Sequence, residues 1–199
     1  MRHSRSNSDG PGKSWSQVKA GDNVAITGPG PIGLLALQLA KVGGARVLMI
    51  GTGEDAERLK MAKALGADAC INVQEIDKVG EATSEFFCTE GAEVVIECSG
   101  AAPAAKTLLE VVMRGARFCQ MGLYGKPMTF DQDLVCYKEL VVIGTNASVP
   151  HAWPRALKLL AEKKVNAQGL ISHRFAIAEW DKALEVMKSK QGLKILLKP

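Results

Sequence analysis

Short apolar runs recur at nearly even intervals along the chain from Gly21 onward. They are rich in Val and Ile and show little alternation with polar residues. Such runs are typical of strands that are buried on both faces of a parallel sheet. The predicted strands cover residues 23–27, 46–50, 69–73, 93–97, 117–122 and 140–144.

Amphipathic helices are predicted between these strands, because apolar residues recur there three and four positions apart. The predicted apolar face of the first helix consists of Ile32, Leu35, Leu39 and Val42. Similar spacing predicts helices over residues 59–65, 105–112 and 153–160, whereas the connection over residues 75–90 is polar and less clearly helical. Strands that alternate with helices predict an α/β fold with a doubly wound, six-stranded parallel sheet, the Rossmann architecture. Ligands of such sheets bind at the carboxyl ends of the strands.

The two ends of the chain depart from this alternation. Residues 1–14 are polar, rich in glycine and serine, and predicted to form a disordered tail. Residues 15–165 are predicted to form the Rossmann domain. Residues 166–199 are predicted to form a short strand–helix–strand appendage, with strands over 172–177 and 194–198 and a helix that contains Trp180.

The composition is that of a soluble globular protein, with 47% hydrophobic and 23% charged residues. No apolar run approaches the roughly 20 residues that span a bilayer, and the basic start lacks the apolar segment of a signal peptide. The net charge of +4 is spread along the chain, so neither a membrane nor a nucleic acid is the expected partner. None of the five cysteines forms a C-x-x-C pair, which predicts small hydrophobic thiols in a reducing, cytoplasmic setting.

The most informative chemistry lies between the first predicted strand and helix, in the pattern Gly28-x-Gly30-x-x-Gly33. Gly28 permits a tight turn, Gly30 leaves room for a pyrophosphate beside the backbone, and Gly33 allows close helix packing. The phosphates would meet free N–H groups at the helix N-terminus, where Pro31 removes no helical hydrogen bond. The pattern therefore predicts a dinucleotide site; a tight turn without a ligand is the alternative.

The choice of dinucleotide depends on the end of the second predicted strand. NAD-binding domains carry an acid there, about 20 residues beyond the glycine pattern, that binds the ribose hydroxyls. Here the strand ends in Gly51 and Thr52, and Asp55 downstream also suits the first turn of a helix. Without an acid a 2′-phosphate is not repelled, and Thr52 and Arg58 could bind it, although Arg58 equally suits a solvated helix position. The predicted cofactor is NADP or NAD, with the balance toward NADP.

Several strings in order carry a family resemblance. The strings GPGPIGLLALQLAKVGGARV and ERLKMAKALGAD resemble the zinc-dependent medium-chain dehydrogenase/reductases, with sorbitol and threonine dehydrogenases among the nearest types. The similarity continues through EVVIECSG, ARFCQMGLYGKP, KELVVIGTNAS, LISHRF and LKILLKP, and covers nearly everything from Gly21 to Pro199. It implies the NAD(P)-binding domain of an alcohol or polyol dehydrogenase, whose cofactor exchanges hydride with a secondary alcohol.

The resemblance also implies which residues bind the cofactor and the partner. The pyrophosphate loop corresponds to Gly28, Gly30, Pro31, Ile32 and Gly33. The wall beside the adenosine and its ribose corresponds to Cys98, Ser99 and Gly100. The backbone that frames the nicotinamide carboxamide corresponds to Gly122, Leu123, Thr145 and Asn146. The strand from Leu140 to Gly144 corresponds to the edge through which family members form homodimers.

In this family the catalytic zinc is held by a β-rich lobe that lies mostly before this domain, and its cysteine and His-Glu motifs have no counterpart in the sequence. The histidines His3, His151 and His173 are scattered, so no catalytic residue and no metal site are predicted, and zinc is expected only in complete family members. Residues from Asn166 onward resemble the end of that lobe. Two hypotheses stay open: part of a dehydrogenase, or a non-enzymatic NAD(P)-binding module that dimerises or senses redox state. The third glycine and the downstream strings argue against an S-adenosylmethionine-dependent methyltransferase.

Overall fold

A computed structural model of the chain describes residues 17–150, 152–189 and 191–199. Its main feature is a parallel sheet of six strands in the order β3-β2-β1-β4-β5-β6, and two further strands form a separate parallel pair. The strands are β1 (Asn23–Thr27), β2 (Arg46–Gly51), β3 (Ala69–Asn72), β4 (Ala92–Glu97), β5 (Val112–Gln120), β6 (Val141–Gly144), β7 (Ile171–Ala176) and β8 (Lys194–Lys198). The α-helices are α1 (Pro31–Val42), α2 (Ala56–Ala64), α3 (Val79–Phe87), α4 (Ala102–Val111), α5 (Gln132–Tyr137), α6 (Ala152–Ala161) and α7 (Trp180–Lys188).

The predicted doubly wound sheet and the appendage of β7, α7 and β8 are confirmed. The largest change of bounds is in β5, which begins at Val112 instead of Arg117, because α4 passes directly into the sheet without a loop. The strand order reverses direction between β1 and β4, so the loops that follow these two strands diverge. This divergence opens a crevice at the carboxyl edge of the sheet.

The core lies on both faces of the sheet, which explains why the strands read as continuous apolar runs. All five residues of β1 are buried, although only alternate side chains point to the same face. Leu34 and Leu37 of α1 pack on one face together with α2, and Phe87 of α3 and Leu108 of α4 pack on the other. Burial on both faces fixes the position of the sheet edge where the candidate site lies.

The apolar face predicted for α1 is wrong. Ile32 and Leu39 are 57% and 49% exposed, whereas Leu34 and Leu37 are fully buried. Apolar residues occur on nearly all sides of this helix, so spacing alone does not choose the face. The face of α1 that turns toward the sheet is set by Gly33, where the helix lies against the loop after β1.

Two other helices differ from the sequence-based expectations. The polar connection before β4 contains α3, which buries Val79, Thr83 and Phe87, each four residues after the last. The short helix α5 was not predicted. Its N-terminus is capped by the Asp131 side chain, which accepts hydrogen bonds from the backbone N–H groups of Asp133 and Leu134.

The C-terminal segment is attached to the six-stranded domain by side-chain and backbone contacts. Leu170 is buried in the cluster that α1 and α2 form against the sheet. The backbone N–H of Asn166 donates to Gln38 Oε1 at 2.6 Å. The predicted boundary near residue 165 stays a prediction, and the predicted tail, residues 1–14, lies outside the described residues together with His151.

The helix α6 leaves its apolar side uncovered. Trp153 and Leu157 are each 61% exposed and Leu160 is 41% exposed, and no residue of the helix is buried. The predicted helix is therefore confirmed, but its apolar face does not pack on this chain. Within the described residues, no helix has the length and apolar character needed to cross a membrane.

Asp68 fixes the start of β2, and its ionisation is expected to contribute to stability above pH 4. Its carboxylate accepts from the Val47 N–H at 2.6 Å and from Lys41 Nζ at 2.7 Å. Burial is the largest influence on its pKa and raises it, but the hydrogen bonds and the charges of Lys41 and Arg46 together lower the pKa below its ordinary value. Because the folded-state pKa is below the unfolded one, this contribution is complete above the unfolded pKa and is lost as the pH falls through the folded pKa.

The Asp68→Asn variant is expected to be less stable at pH 7 by about 1 kcal/mol, because the ion pair is partly solvated and one charged hydrogen bond is lost. Its free energy of unfolding should change less than that of the parent between pH 5 and pH 3. Urea unfolding across this range measures both quantities. Glu57→Gln removes an exposed ion pair with Lys60 and serves as the matched control. Equal acid sensitivity of parent and Asp68→Asn would contradict the assignment.

Candidate functional site

The glycine loop after β1 forms the tightest part of the crevice. Gly28 has φ +80°, a left-handed conformation that side chains other than glycine rarely adopt, and its N–H donates to the Ile50 carbonyl oxygen at 3.2 Å. A Cβ at Gly28 would lie 2.7 Å from Ser99 Cβ, in the loop that follows β4. The loops after β1 and β4 thus approach each other more closely than a side chain at Gly28 allows.

Gly30 and Gly33 differ in what surrounds them, and the difference matches their predicted functions. A Cβ at Gly30 would have no heavy atom within 4 Å, so the space over its backbone is open. A Cβ at Gly33 would overlap the carbonyl oxygen of Gly28. Gly30 caps α1 and Pro31 occupies its first turn, so the free N–H groups of the helix face the open space. This cradle fits a pyrophosphate.

The tip of β2 carries an acid, contrary to the sequence-based expectation. A short 3-10 turn brings the Asp55 carboxylate back to Thr52, whose N–H and hydroxyl donate to Asp55 Oδ2 at 3.1 and 3.0 Å. A Cβ built on Gly51 would lie 3.2 Å from both Asp55 Cβ and Pro29 Cγ, so this acid lies next to the glycine loop. The spacing T-x-x-D is a capping-box pattern and was the signal that could have revealed it.

Arg58 makes contacts within the chain that the sequence did not indicate. Its Nη1 lies 3.5 Å from Asp55 Oδ1, and its Nη2 donates to the Gly192 carbonyl oxygen at 3.1 Å. The guanidinium therefore connects the β2 tip to the C-terminal segment. Both groups that were predicted to bind a 2′-phosphate, the Thr52 hydroxyl and Arg58, interact with Asp55.

The loop after β4 is held by an acid that the sequence analysis did not single out, Glu97. This last residue of β4 is fully buried. Its carboxylate accepts from the N–H groups of Ser99 and Gly100 at 2.8 and 3.1 Å, from the Ser99 hydroxyl, and from Gln120 Nε2 at 2.8 Å. Thr27 Oγ1 lies 3.4 Å away. A charged residue directly after the apolar run Val94, Val95 and Ile96 was the signal available in the sequence.

A cavity of about 270 Å³ lies at the carboxyl ends of β5 and β6. Gly122, Leu123, Thr145 and Asn146, which the resemblance assigned to the nicotinamide end, all line it, and the sequence analysis missed the other lining residues, Gln120, Met121 and Gly144. The Thr145 N–H donates to the Gln120 carbonyl oxygen at 2.9 Å, which joins the two strand ends. The loops after β4 and β5 are in close contact, because a Cβ at Gly122 would overlap the Gly100 nitrogen.

The pKa values of the two thiols near the site, Cys98 and Cys119, are raised. Burial raises the pKa of Cys98 to about 12, with a smaller contribution from the charge of Glu97. Burial also raises the pKa of Cys119 to about 11. Since the thiolate is the nucleophile and the metal ligand, these thiols behave as small hydrophobic groups.

The predicted site residues thus lie at three neighbouring places along one edge of the sheet, namely the cradle, the tip of β2 and the cavity at the ends of β5 and β6. Gly28, Gly30, Pro31, Ile32 and Gly33 surround the cradle, with Cys98, Ser99 and Gly100 beside it. Gly51, Thr52 and Arg58 lie at the tip of β2. The part of the chain that the structure describes contains no group of three His, Cys, Asp or Glu side chains suited to a metal ion, so no step is assigned to zinc here.

Comparisons with known proteins agree with this geometry. The chain is 44% identical over 185 residues to a sorbitol dehydrogenase of Halalkalibacterium halodurans, covering 92% of this chain and 54% of that protein. It is 33% identical over 178 residues to an L-threonine 3-dehydrogenase of Pectobacterium atrosepticum, covering 89% of this chain and 48% of that protein. The chain therefore spans about half the length of the curated relatives it matches.

Solved structures give the same picture at the level of the fold. An alcohol dehydrogenase from Thermotoga maritima superposes with a TM-score of 0.85 at 28% identity, over 93% of this chain and 52% of that one. An alcohol dehydrogenase from a Thermus species superposes with a TM-score of 0.83 at 30% identity, over 92% and 53%. Residues 31–162 match the sequence profile described as zinc-binding dehydrogenase, which begins in α1 and ends just beyond α6. With the cradle, the switch point and the matched region in agreement, this chain belongs to the zinc-binding dehydrogenase family.

Proposed function

We propose that this chain is the NAD(P)-binding domain of an alcohol or polyol dehydrogenase. The observation that carries the proposal is the cradle at the switch point, where Gly30 is open to a ligand while Gly28 and Gly33 are closed by the backbone around them. A nicotinamide cofactor bound there would exchange hydride with a secondary alcohol in the complete enzyme. The relatives named above as dehydrogenases support this class of reaction.

Three groups of residues would each bind one part of the cofactor. The N–H groups at the start of α1 would bind the pyrophosphate, since they point into the open space over Gly30. Cys98, Ser99 and Gly100 would form the wall beside the adenosine and its ribose. The cavity lined by Gly122, Leu123, Thr145 and Asn146 would receive the nicotinamide carboxamide, because backbone groups at two strand ends converge there.

The choice between NAD and NADP rests on Asp55. The sequence favoured NADP because no acid was expected at the tip of β2, but the Asp55 carboxylate lies there beside the glycine loop. A carboxylate accepts hydrogen bonds from ribose hydroxyls and repels a 2′-phosphate. We therefore propose NAD as the preferred cofactor.

Isothermal titration with both dinucleotides tests the function and the preference together. The parent is expected to bind NAD more tightly than NADP. Asp55→Asn is expected to shift the ratio of the two dissociation constants toward NADP by about tenfold, corresponding to roughly 1.4 kcal/mol. Glu54→Gln removes the same charge from the neighbouring residue and is the matched control. Binding of neither dinucleotide would contradict the proposed function, and a ratio that Asp55→Asn leaves unchanged would contradict only the role of Asp55.

A homodimer is part of the proposal, and so is a cytoplasmic setting. The strand β6 pairs with β5 on one side, and Val141 and Val142 are 52% and 45% exposed on the open edge. An uncovered apolar edge strand is a template for another strand. All five cysteines are free thiols, which supports a reducing compartment. The same edge supports the second hypothesis, a module that binds NAD(P) and acts as a dimer without catalysis.

A further inference from the structure

Glu97 is a buried carboxylate whose hydrogen-bond donors are all uncharged. The donors are two backbone N–H groups, two hydroxyls and the Gln120 side-chain amide. Among the residues that the structure describes, none of the ion pairs involves Glu97. A negative charge that has no cation paired with it acts over a longer range than it would beside one.

This carboxylate contacts two residues that line the cavity at the ends of β5 and β6. Gln120 Nε2 donates both to Glu97 Oε2 at 2.8 Å and to the Gly122 carbonyl oxygen at 2.7 Å, and Gln120 and Gly122 line the cavity. A Cβ at Gly122 would overlap Glu97 Oε2, so the carboxylate lies against the backbone of this lining residue. The charge of Glu97 therefore lies directly behind the cavity wall.

The charge of Glu97 also acts on a neighbouring side chain. Tyr124 donates its hydroxyl to Gln120 Oε1 at 2.6 Å, in the same hydrogen-bonded chain. Burial is the main cause that raises the pKa of Tyr124, and the charge of Glu97 raises it further, against the hydrogen bond to Gln120. The charge of Glu97 therefore reaches a side chain on the far side of Gln120.

We propose that Glu97 is a positioning residue that raises the affinity of this domain for the oxidised, cationic nicotinamide cofactor relative to its affinity for the reduced, neutral one. The inference rests on the proposed function, since it takes the cavity as the nicotinamide site. The nicotinamide ring carries a positive charge before it accepts hydride and is neutral afterwards, so a fixed anion behind the cavity stabilises only the oxidised form. Leu123 in the cavity lining is 78% exposed, so water reaches the site and weakens the effect of the fixed charge.

A purely structural role for Glu97 predicts a different result. If the carboxylate only holds the loops after β4 and β5 together, its loss weakens the binding of both redox forms by the same factor. The ratio of the two dissociation constants then stays constant. That ratio, and not the affinity itself, separates an electrostatic role from a structural one.

The test compares Glu97→Gln with the parent, using the oxidised and reduced forms of whichever dinucleotide the parent binds more tightly. Glu97→Gln is expected to lower the preference for the oxidised form on the order of fivefold, the size expected for a charge acting across a partly hydrated site. Fluorescence titration measures the dissociation constant of the reduced form, and calorimetry measures that of the oxidised form. ADP-ribose, which lacks nicotinamide, is titrated in parallel and reports any change at the cradle alone.

Two further variants keep the test decisive. Thr27→Val removes a donor from the same carboxylate without changing its charge, so it should leave the redox-form ratio unchanged. Gln120→Lys places a cation beside Glu97 and, like Glu97→Gln, should lower the affinity for the oxidised form relative to the reduced form. This variant provides the test if Glu97→Gln does not fold. A ratio unchanged in Glu97→Gln or, where that variant does not fold, in Gln120→Lys would overturn the inference and leave the proposed function intact. A parent that binds neither the dinucleotides nor ADP-ribose would overturn both.

Discussion

Replacing Gly30 with valine is expected to weaken dinucleotide binding by at least about 100-fold, or roughly 3 kcal/mol, while leaving the fold intact. The added side chain would enter the open space over the start of α1, where the pyrophosphate must approach the backbone. No heavy atom lies within 4 Å of a Cβ at this position, and its φ of −78° suits any residue. The only expected cost to folding is that of a poor helix cap, about 1 kcal/mol.

Calorimetric titration and thermal unfolding of Gly30→Val measure these two effects separately. Gly80→Val is the matched control, because it adds the same atoms on α3, where the nearest atom to the Cβ is 3.9 Å away. Gly33→Ala provides a contrast, since its Cβ overlaps the Gly28 carbonyl oxygen and should reduce stability and binding together. If Gly30→Val bound the cofactor as tightly as the parent, the pyrophosphate would have to lie elsewhere.

Placing proline at Val142 is expected to dissociate a homodimer that forms through β6. The Thr145 N–H donates to β5, and the N–H groups of a strand alternate in direction, so the Val142 N–H points to the open edge. Proline at this position removes a donor from the partner strand without removing one from the pairing with β5. A two-fold symmetric edge contact loses two such hydrogen bonds, one on each subunit.

Analytical ultracentrifugation across a range of concentrations measures this effect. The parent should be dimeric at micromolar concentration, and Val142→Pro should raise the dimer dissociation constant by about 100-fold, or roughly 3 kcal/mol. Val142→Thr, which keeps the N–H and suits a strand, should retain the dimer. A monomeric parent would refute the prediction.

Other exposed apolar groups offer a competing route to association. Leu197 is 45% exposed in β8, and Trp153 and Leu157 are exposed on α6. Association through these groups would not depend on a backbone N–H in β6. A folded Val142→Pro variant that stays dimeric would therefore locate the interface away from β6.

The sequence was most informative where backbone chemistry allows one residue type. Gly28 has a positive φ, and Gly33 has no room for a Cβ, so the spacing of these glycines identified the loop and its place between a strand and a helix. Continuous apolar runs likewise identified the strands, because both faces of the sheet are buried. The fold class follows from these two local constraints.

The sequence was less informative where the outcome depends on side chains that meet across the fold. Periodicity did not choose the buried face of α1, because apolar residues surround that helix and only its contact with the sheet decides. It did not place the Asp55 carboxylate at the tip of β2, since that depends on the turn back to Thr52. The sequence predicted that Arg58 either binds a 2′-phosphate or is solvated, whereas its guanidinium contacts Gly192, far away in the chain.

By itself, then, the amino-acid sequence determined the doubly wound sheet, the glycine cradle and the family, because each depends on local conformational limits and on the period of apolar residues. Only the tertiary structure decided how charges are arranged around that cradle. The Glu97 carboxylate accepts hydrogen bonds from Thr27, Gln120 and the loop after its own strand. These donors come together only when β1, β4 and β5 align at one edge of the sheet. Electrostatic interactions depend on distance and burial, and neither quantity is present in the order of residues along a chain.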